Sequence, residues 1–186
     1  MKNITKKIAI IVAATGILTT ALLHTFAQAD NYPTYRNDVA GFQIAYLDNW
    51  HRFETPTNSL FAIKRDSSNK PCTLSIDVRN FTGNQKTIID KMVANVDKQI
   101  ATLKRRFPDI KKIEAGNTEL GNWPAAYWAF TYTLKNLGNQ LPVFTIQVFC
   151  VKDQKAYLVQ IEGVGQMDPT VINEADRIIS TFMFTK

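Results

Sequence analysis

The stretch from Trp123 to Val164, WPAAYWAFTYTLKNLGNQLPVFTIQVFCVKDQKAYLVQIEGV, decides the fold. It reads as three consecutive strands joined by two tight turns. In Ala125–Leu134, Trp128, Phe130 and Tyr132 fall on one parity, and Tyr127, Ala129, Thr131 and Thr133 on the other. Period-two alternation with aromatic and β-branched enrichment is the strand signal. Lys135–Gln140 supplies turn residues. Val143–Val151 follows with Phe144, Ile146, Val148 and Cys150 on one parity. After the polar turn Lys152–Lys155, the strand Ala156–Val164 puts Tyr157, Val159 and Ile161 on its apolar side. An antiparallel sheet with a strongly apolar face needs helices on at least one side.

Outward from this meander, the N-terminal half supplies more strands. Phe42, Ile44 and Tyr46 alternate, Leu47-Asp48-Asn49 turns, and Trp50 is placed to cap a core; Asn31–Asn37, polar and holding Pro33, reads as an irregular lead-in. Leu60–Lys64 and Cys72–Phe81 are two further strands. In the second, Cys72, Leu74, Ile76 and Val78 oppose Thr73, Ser75, Asp77 and Arg79, one covered face and one wet face. Ile88, Ile89, Met92, Val93, Val96, Ile100 and Leu103 recur at spacings of three and four. They form the apolar stripe of one long helix from Gly83–Asn84 to about Arg106, with Pro108 beyond it. Ile113–Leu120 is another strand. Asp168 and Pro169 suit the N-cap and first position of a closing helix, whose buried stripe is Val171, Ile172, Ala175, Ile178 and Ile179, with Phe182 and Phe184 tucked on the sheet. The fold class is α+β, an antiparallel sheet of six to seven strands flanked by helices.

The chain opens with a three-part export pattern: Lys2, Lys6 and Lys7, an apolar run from Ile8 to Leu23, then Ala27-Gln28-Ala29 before Asp30. This predicts a cleaved secretory signal at residues 1–29 and a single domain at 30–186, rather than a retained anchor. No cysteine stands near the cleavage site for lipidation. The formal charge of +6 falls to +3 once the three signal lysines are removed, an excess too mild to imply nucleic acid. Lys104, Arg105, Arg106, Lys111 and Lys112 read as a solvated helix end, against an anionic partner or lipid surface. The expected location is the periplasm or the medium, with no transmembrane segment in the mature chain.

Little of this sequence carries chemistry. His51 is the one histidine after the signal, with no Gly-x-Ser-x-Gly run to accompany it, so it reads as a surface residue. Gly163-Val-Gly165 precedes Asp168, whose carboxylate would repel a pyrophosphate; the segment reads as a turn plus N-cap. No calcium loop is present. No catalytic, cofactor-binding or metal-binding residue is expected. Cys72 and Cys150 both fall on apolar parities, and an exported setting favours a Cys72–Cys150 disulfide over two buried thiols. A candidate interaction face combines Asp77 and Arg79 with Tyr127, Thr131, Gln147, Gln160 and Glu162, a mixture of aromatic and hydrogen-bonding groups. The competing reading is a sheet face half covered by a helix, and full burial of Tyr127 would make the proposed face a second core layer.

Gly41-Phe42 leading through Tyr46 to Trp50, the amphipathic helix before the meander, and the closing Ile178-Ile179-Ser180-Thr181-Phe182 resemble the PsbP-like family of the Mog1/PsbP fold, which includes DcrB-type periplasmic proteins. The resemblance implies an antiparallel sheet sandwiched by helices, a mainly non-enzymatic role and no family-wide catalytic residue. The chain departs from lipid-anchored DcrB-type members in lacking their cysteine. The leading expectation is an exported accessory protein acting on an unidentified protein or envelope partner. A binder of a small or lipidic ligand in a groove, and a hydrolase of unrecognised type, are the rivals.

Overall fold

The computed structural model describes residues 32–54, 59–65, 71–83, 85–136, 139–166 and 168–185. The expected signal segment and its cleavage site lie outside the described residues. Strands β1 (Thr34–Asn37), β2 (Phe42–Ala45), β3 (Trp50–Arg52), β4 (Phe61–Arg65) and β5 (Cys72–Asn80) come first. Helices α1 (Gln85–Ala94) and α2 (Val96–Leu103) precede β6 (Lys111–Leu120), β7 (Trp123–Asn136), β8 (Asn139–Lys152) and β9 (Lys155–Val164). Helix α3 (Pro169–Ser180) and β10 (Met183–Phe184) close the chain. Seven strands form one antiparallel sheet in the order β3-β4-β5-β9-β8-β7-β6, and β1-β2-β10 form a second, three-stranded sheet. The α+β class and the seven-stranded count agree with the sequence reading.

Two of the tight turns are built the same way. Gly121 and Asn122 have φ of 55° and 62°, and Asp153 and Gln154 have 49° and 59°. Two successive left-handed residues match the twist of the strands they join. Gly163 is required for another reason: a Cβ there would lie 2.3 Å from Phe144 Cε1 on the adjacent strand.

Four segments differ from the sequence reading. The expected single helix is two, because Asn95 (φ −101°, ψ 8°) leaves the helical region and its side chain bonds back to the Lys91 carbonyl. Thr34–Asn37 of the expected lead-in is strand β1, and Met183–Phe184 is strand β10; both pair with β2. Neither is long enough to show a period. Trp50, expected as a cap, is fully buried and begins β3.

Both faces of the large sheet carry apolar clusters. The first face joins Leu74, Ile76, Tyr127, Ala129, Phe144, Ile146, Val148 and Val159 to the stripe of α3 and to Phe42, Ile44 and Phe182. The second joins Ala126, Trp128, Phe130, Tyr132 and Val143 to Ile89 of α1 and Val96 and Ile100 of α2. Asp168 caps α3 by accepting from the Thr170 N–H at 2.9 Å. A partly buried ion pair fixes that helix to the sheet: Arg65 Nε and Nη2 reach Glu174 Oε2 and Oε1 at 2.7 and 3.1 Å. Trp50 Nε1 donates to the same carboxylate at 3.0 Å, and Asn49 Nδ2 at 3.4 Å.

The Cys72–Cys150 disulfide is not supported; both cysteines are buried free thiols. Their face is right and their register is wrong. Cys72 lies opposite Gly163 and Cys150 opposite Tyr157, so six residues of β9 separate them. That is ~20 Å along the strand, far beyond the ~7 Å limit between Cα atoms of a bridged pair. Burial pushes both thiols up to about 12. Denaturing, non-reducing labelling is therefore expected to find two thiols per chain, and labelling of the folded protein to find neither reacting rapidly.

Glu174 supplies a second test. Burial opposes its ionisation, but the hydrogen bonds from Arg65 and Trp50 outweigh it and hold the carboxyl below its ordinary value. A carboxyl depressed in the folded state stabilises above its unfolded pKa and loses that contribution as pH falls through the folded value. Glu174→Gln is expected to cost roughly 2–3 kcal/mol at neutral pH, below the figure for a fully buried pair because both side chains keep some water. The difference from wild type should shrink as pH drops below about 4, measured by urea unfolding across that range.

Candidate polar recognition face

Helices α1 and α2 contact β6, β7 and β8. The second face of the sheet continues past them onto β9, β5 and β4. At this margin the side chains fall in cross-strand rows. Trp128, Gln147, Gln160 and Ser75 form one row. Phe130, Thr145, Glu162, Thr73, Lys64 and His51 form the next. Phe149, Leu158 and Asp77 lie on the other side of the first.

A hydrogen-bonded relay crosses these rows. Trp128 Nε1 donates to Gln147 Oε1 at 2.6 Å, Gln147 Nε2 donates to Gln160 Oε1 at 2.7 Å, and Gln160 Nε2 donates to Glu162 Oε2 at 3.3 Å. The Tyr132 hydroxyl also donates to Glu162 Oε2, at 3.3 Å. The direction is fixed chemically. An indole can only donate and a carboxylate can only accept, so both amides are oriented from their two ends. Burial, followed by the Glu162 charge, raises the Tyr132 pKa and keeps it a donor. Thr145, 2% exposed, lies close by; its Oγ1 has no partner of normal hydrogen-bond geometry. Gln147, Gln160, Glu162, Thr73, Ser75 and Asp77 are all half-buried, and Lys64, His51 and Arg79 are exposed. Polar groups held in place at a half-wet surface can bind a partner without paying much to order themselves.

The structure divides the expected face. Gln147, Gln160, Glu162, Asp77 and Arg79 do share one side. Tyr127 and Thr131 lie on the opposite side, across from Val148 and Phe144. Tyr127 is 1% exposed and belongs to the first core cluster. Its hydroxyl donates to Glu114 Oε1, and burial, then Glu114, raises its pKa. Tyr127 is core, and its inclusion is corrected. The cause is one step of parity: both faces of β7 are apolar, so apolarity alone could not align it with β8. Trp128, Tyr132 and Thr145 were missed for the same reason. Counting outward from the Lys152–Lys155 turn pairs Gln147 with Gln160, a signal the sequence did contain.

Among the described residues, no group of three or more His, Cys, Asp or Glu could hold a metal ion. None of their helices is long and apolar enough to cross a membrane. The family model described as serine/threonine kinase C-terminal domain matches residues 34–184, from β1 to β10. The chain belongs to that family. This member of the kinase C-terminal domain family carries no His-Arg-Asp or Asp-Phe-Gly run of a kinase catalytic domain. No curated protein sequence matches it. Its fold is similar to that of cyanobacterial PsbP (CyanoP) from Synechocystis, at TM-score 0.55 and 13% identity over 87% of this chain and 98% of that one. It is similar to LpqN of Mycobacterium tuberculosis, described as involved in cell envelope biogenesis, at 0.52 and 14% over 85% and 87%. It is also similar to the Ran-binding protein Mog1p of Saccharomyces cerevisiae, at 0.53 and 6% over 84% and 96%. At these identities the likeness establishes the Mog1/PsbP fold that the sequence resemblance implied.

Tyr127 and Gln160 should separate core from face. Tyr127→Ala is expected to cost the ~3–5 kcal/mol of a truncated core aromatic. Gln160→Ala should cost no more than about 1 kcal/mol, since water can replace a half-buried amide. Chemical denaturation of the two variants measures the difference.

Proposed function

We propose that the chain is an exported, non-catalytic binding domain that engages another macromolecule through the polar margin of its large sheet. The observation that carries this reading is the oriented relay from the buried Trp128 through Gln147 and Gln160 to Glu162, the last three half-buried beside the α1–α2 layer. The relay presents spare amide hydrogens and carboxylate lone pairs, with Phe149 and Leu158 as adjoining apolar contacts. Such a mixture suits recognition of a polar partner surface. Membership in a family of kinase C-terminal domains favours an accessory unit over a catalytic one. Of the fold relatives, Mog1p is a Ran-binding protein and LpqN is involved in cell envelope biogenesis, and a binding role in the envelope accords with both.

Export rests on the Lys2–Ala29 pattern, with residues 30–186 as the single mature domain in the periplasm or the medium. A second reading, a small ligand held at the same margin, draws on the buried Thr145 hydroxyl beneath it, which has no partner of normal hydrogen-bond geometry.

Crosslinking capture in the exporting cell tests the proposal. Intact mass of the extracytoplasmic form should begin at Asp30. Wild-type protein should retain a specific macromolecular partner, and the Gln160→Ala/Glu162→Gln variant should lose at least about tenfold of that capture while remaining folded. Equal capture by both would exclude this face, and a form still beginning at Met1 would exclude cleavage at Ala29.

A further inference from the structure

The large sheet ends at β6, and among the described residues no strand pairs with its outer edge. Natural edges of this length are blunted by charge, proline or bulges. In β6 Lys111, Lys112 and a bulge between Lys112 and Glu114 protect its first residues, and Glu114 and Glu119 are the charges of the rest. From Glu114 to Leu120 the pairing with β7 is regular, with no proline. One charged side chain in that run points inward. Glu114 accepts from the Tyr127 hydroxyl through Oε1, while its buried Oε2 has no hydrogen-bond partner among the described residues. A buried carboxylate oxygen without a donor is costly.

We infer that a second copy of this chain pairs antiparallel with β6, edge to edge, about a two-fold axis at Gly116. Directly opposed residues of an antiparallel pair must share a face, so the axis must pass through a residue. The pairing with β7 sets those faces: Glu114, Gly116 and Thr118 oppose Ala129, Tyr127 and Ala125 on the first, while Ala115, Asn117 and Glu119 oppose Trp128, Ala126 and Pro124 on the second. An axis at Gly116 sets Ala115 against Asn117, two side chains too small to clash. It sets Glu114 against Thr118 of the second copy, both on the first face. Past the bulge, Lys112, on the second face opposite Phe130, falls against Glu119 of the second copy. Each contact occurs twice. Shifting the axis to residue 115 or 117 takes Lys112 away from Glu119. Lys112 already bonds Asp97 of α2, and an ammonium with three donors can serve both carboxylates. The interface is isologous and closes after two copies.

Sedimentation equilibrium of the purified chain tests this. Wild type is expected to show a concentration-dependent monomer–dimer equilibrium, with β6 amides slower to exchange in the dimer. Lys112→Glu and Glu119→Lys each place like charges together twice and should weaken dimerisation about tenfold. The double swap should restore it. Asp97→Asn, which removes only the contact within one copy, should not weaken it. A wild type that stays monomeric at about 1 mM, or a double swap no better than its single variants, overturns the inference.

Discussion

Strand β7 is buried on both faces, and the rest of the molecule is arranged around that constraint. Ala125, Tyr127 and Ala129 look into one core, and Ala126, Trp128, Phe130 and Tyr132 into the other. A strand of this kind cannot border solvent on either side. It requires α1 and α2 over one face, and α3 with the small sheet over the opposite one. Burying a large apolar side chain contributes ~1.5–3 kcal/mol. A slip of one residue in β7 would therefore exchange Tyr127 with Trp128 and forfeit several such contributions together.

The two covers are attached differently. Helix α3 is fixed at defined points: Asp168 caps its start, the Arg65–Glu174 pair and Trp50 Nε1 hold its middle, and Thr181 exchanges hydrogen bonds with Ala45 at its end. Helices α1 and α2 rest on the sheet mainly through Ile89, Val96 and Ile100, and they break at Asn95. Their cover reaches β8 and stops. The polar relay begins at that boundary because Trp128 needs a partner for its indole N–H under the helices, while Glu162 keeps its charge toward water. The recognition face is thus a consequence of an incomplete helical layer over a sheet wider than the layer.

Residue chemistry by itself determined much of the frame. Alternation over β5, β7, β8 and β9 is long enough to declare strands. The spacing of Ile89, Val96 and Ile100 declares a helix stripe, and Asp168-Pro169 declares where α3 begins. These signals are local, so no partner strand is needed to read them. Strands β1 and β10, of four and two residues, were not legible because strands so short carry no period. The helix break was not legible because Asn95 disrupts one turn without interrupting the apolar stripe.

Tertiary structure decided which faces coincide. Cys72 and Cys150 share a face, as their parity implies, but strand order and register hold them far apart along β9. Gln147, Gln160 and Glu162 come together because the Asp153–Gln154 turn fixes the β8–β9 register. Tyr127 is excluded because the β7–β8 register sets it opposite Val148. A sequence states which residues alternate. Only hydrogen bonding between strands distant in sequence sets the phase of one alternation against the next, and in this protein that phase separates core from recognition face.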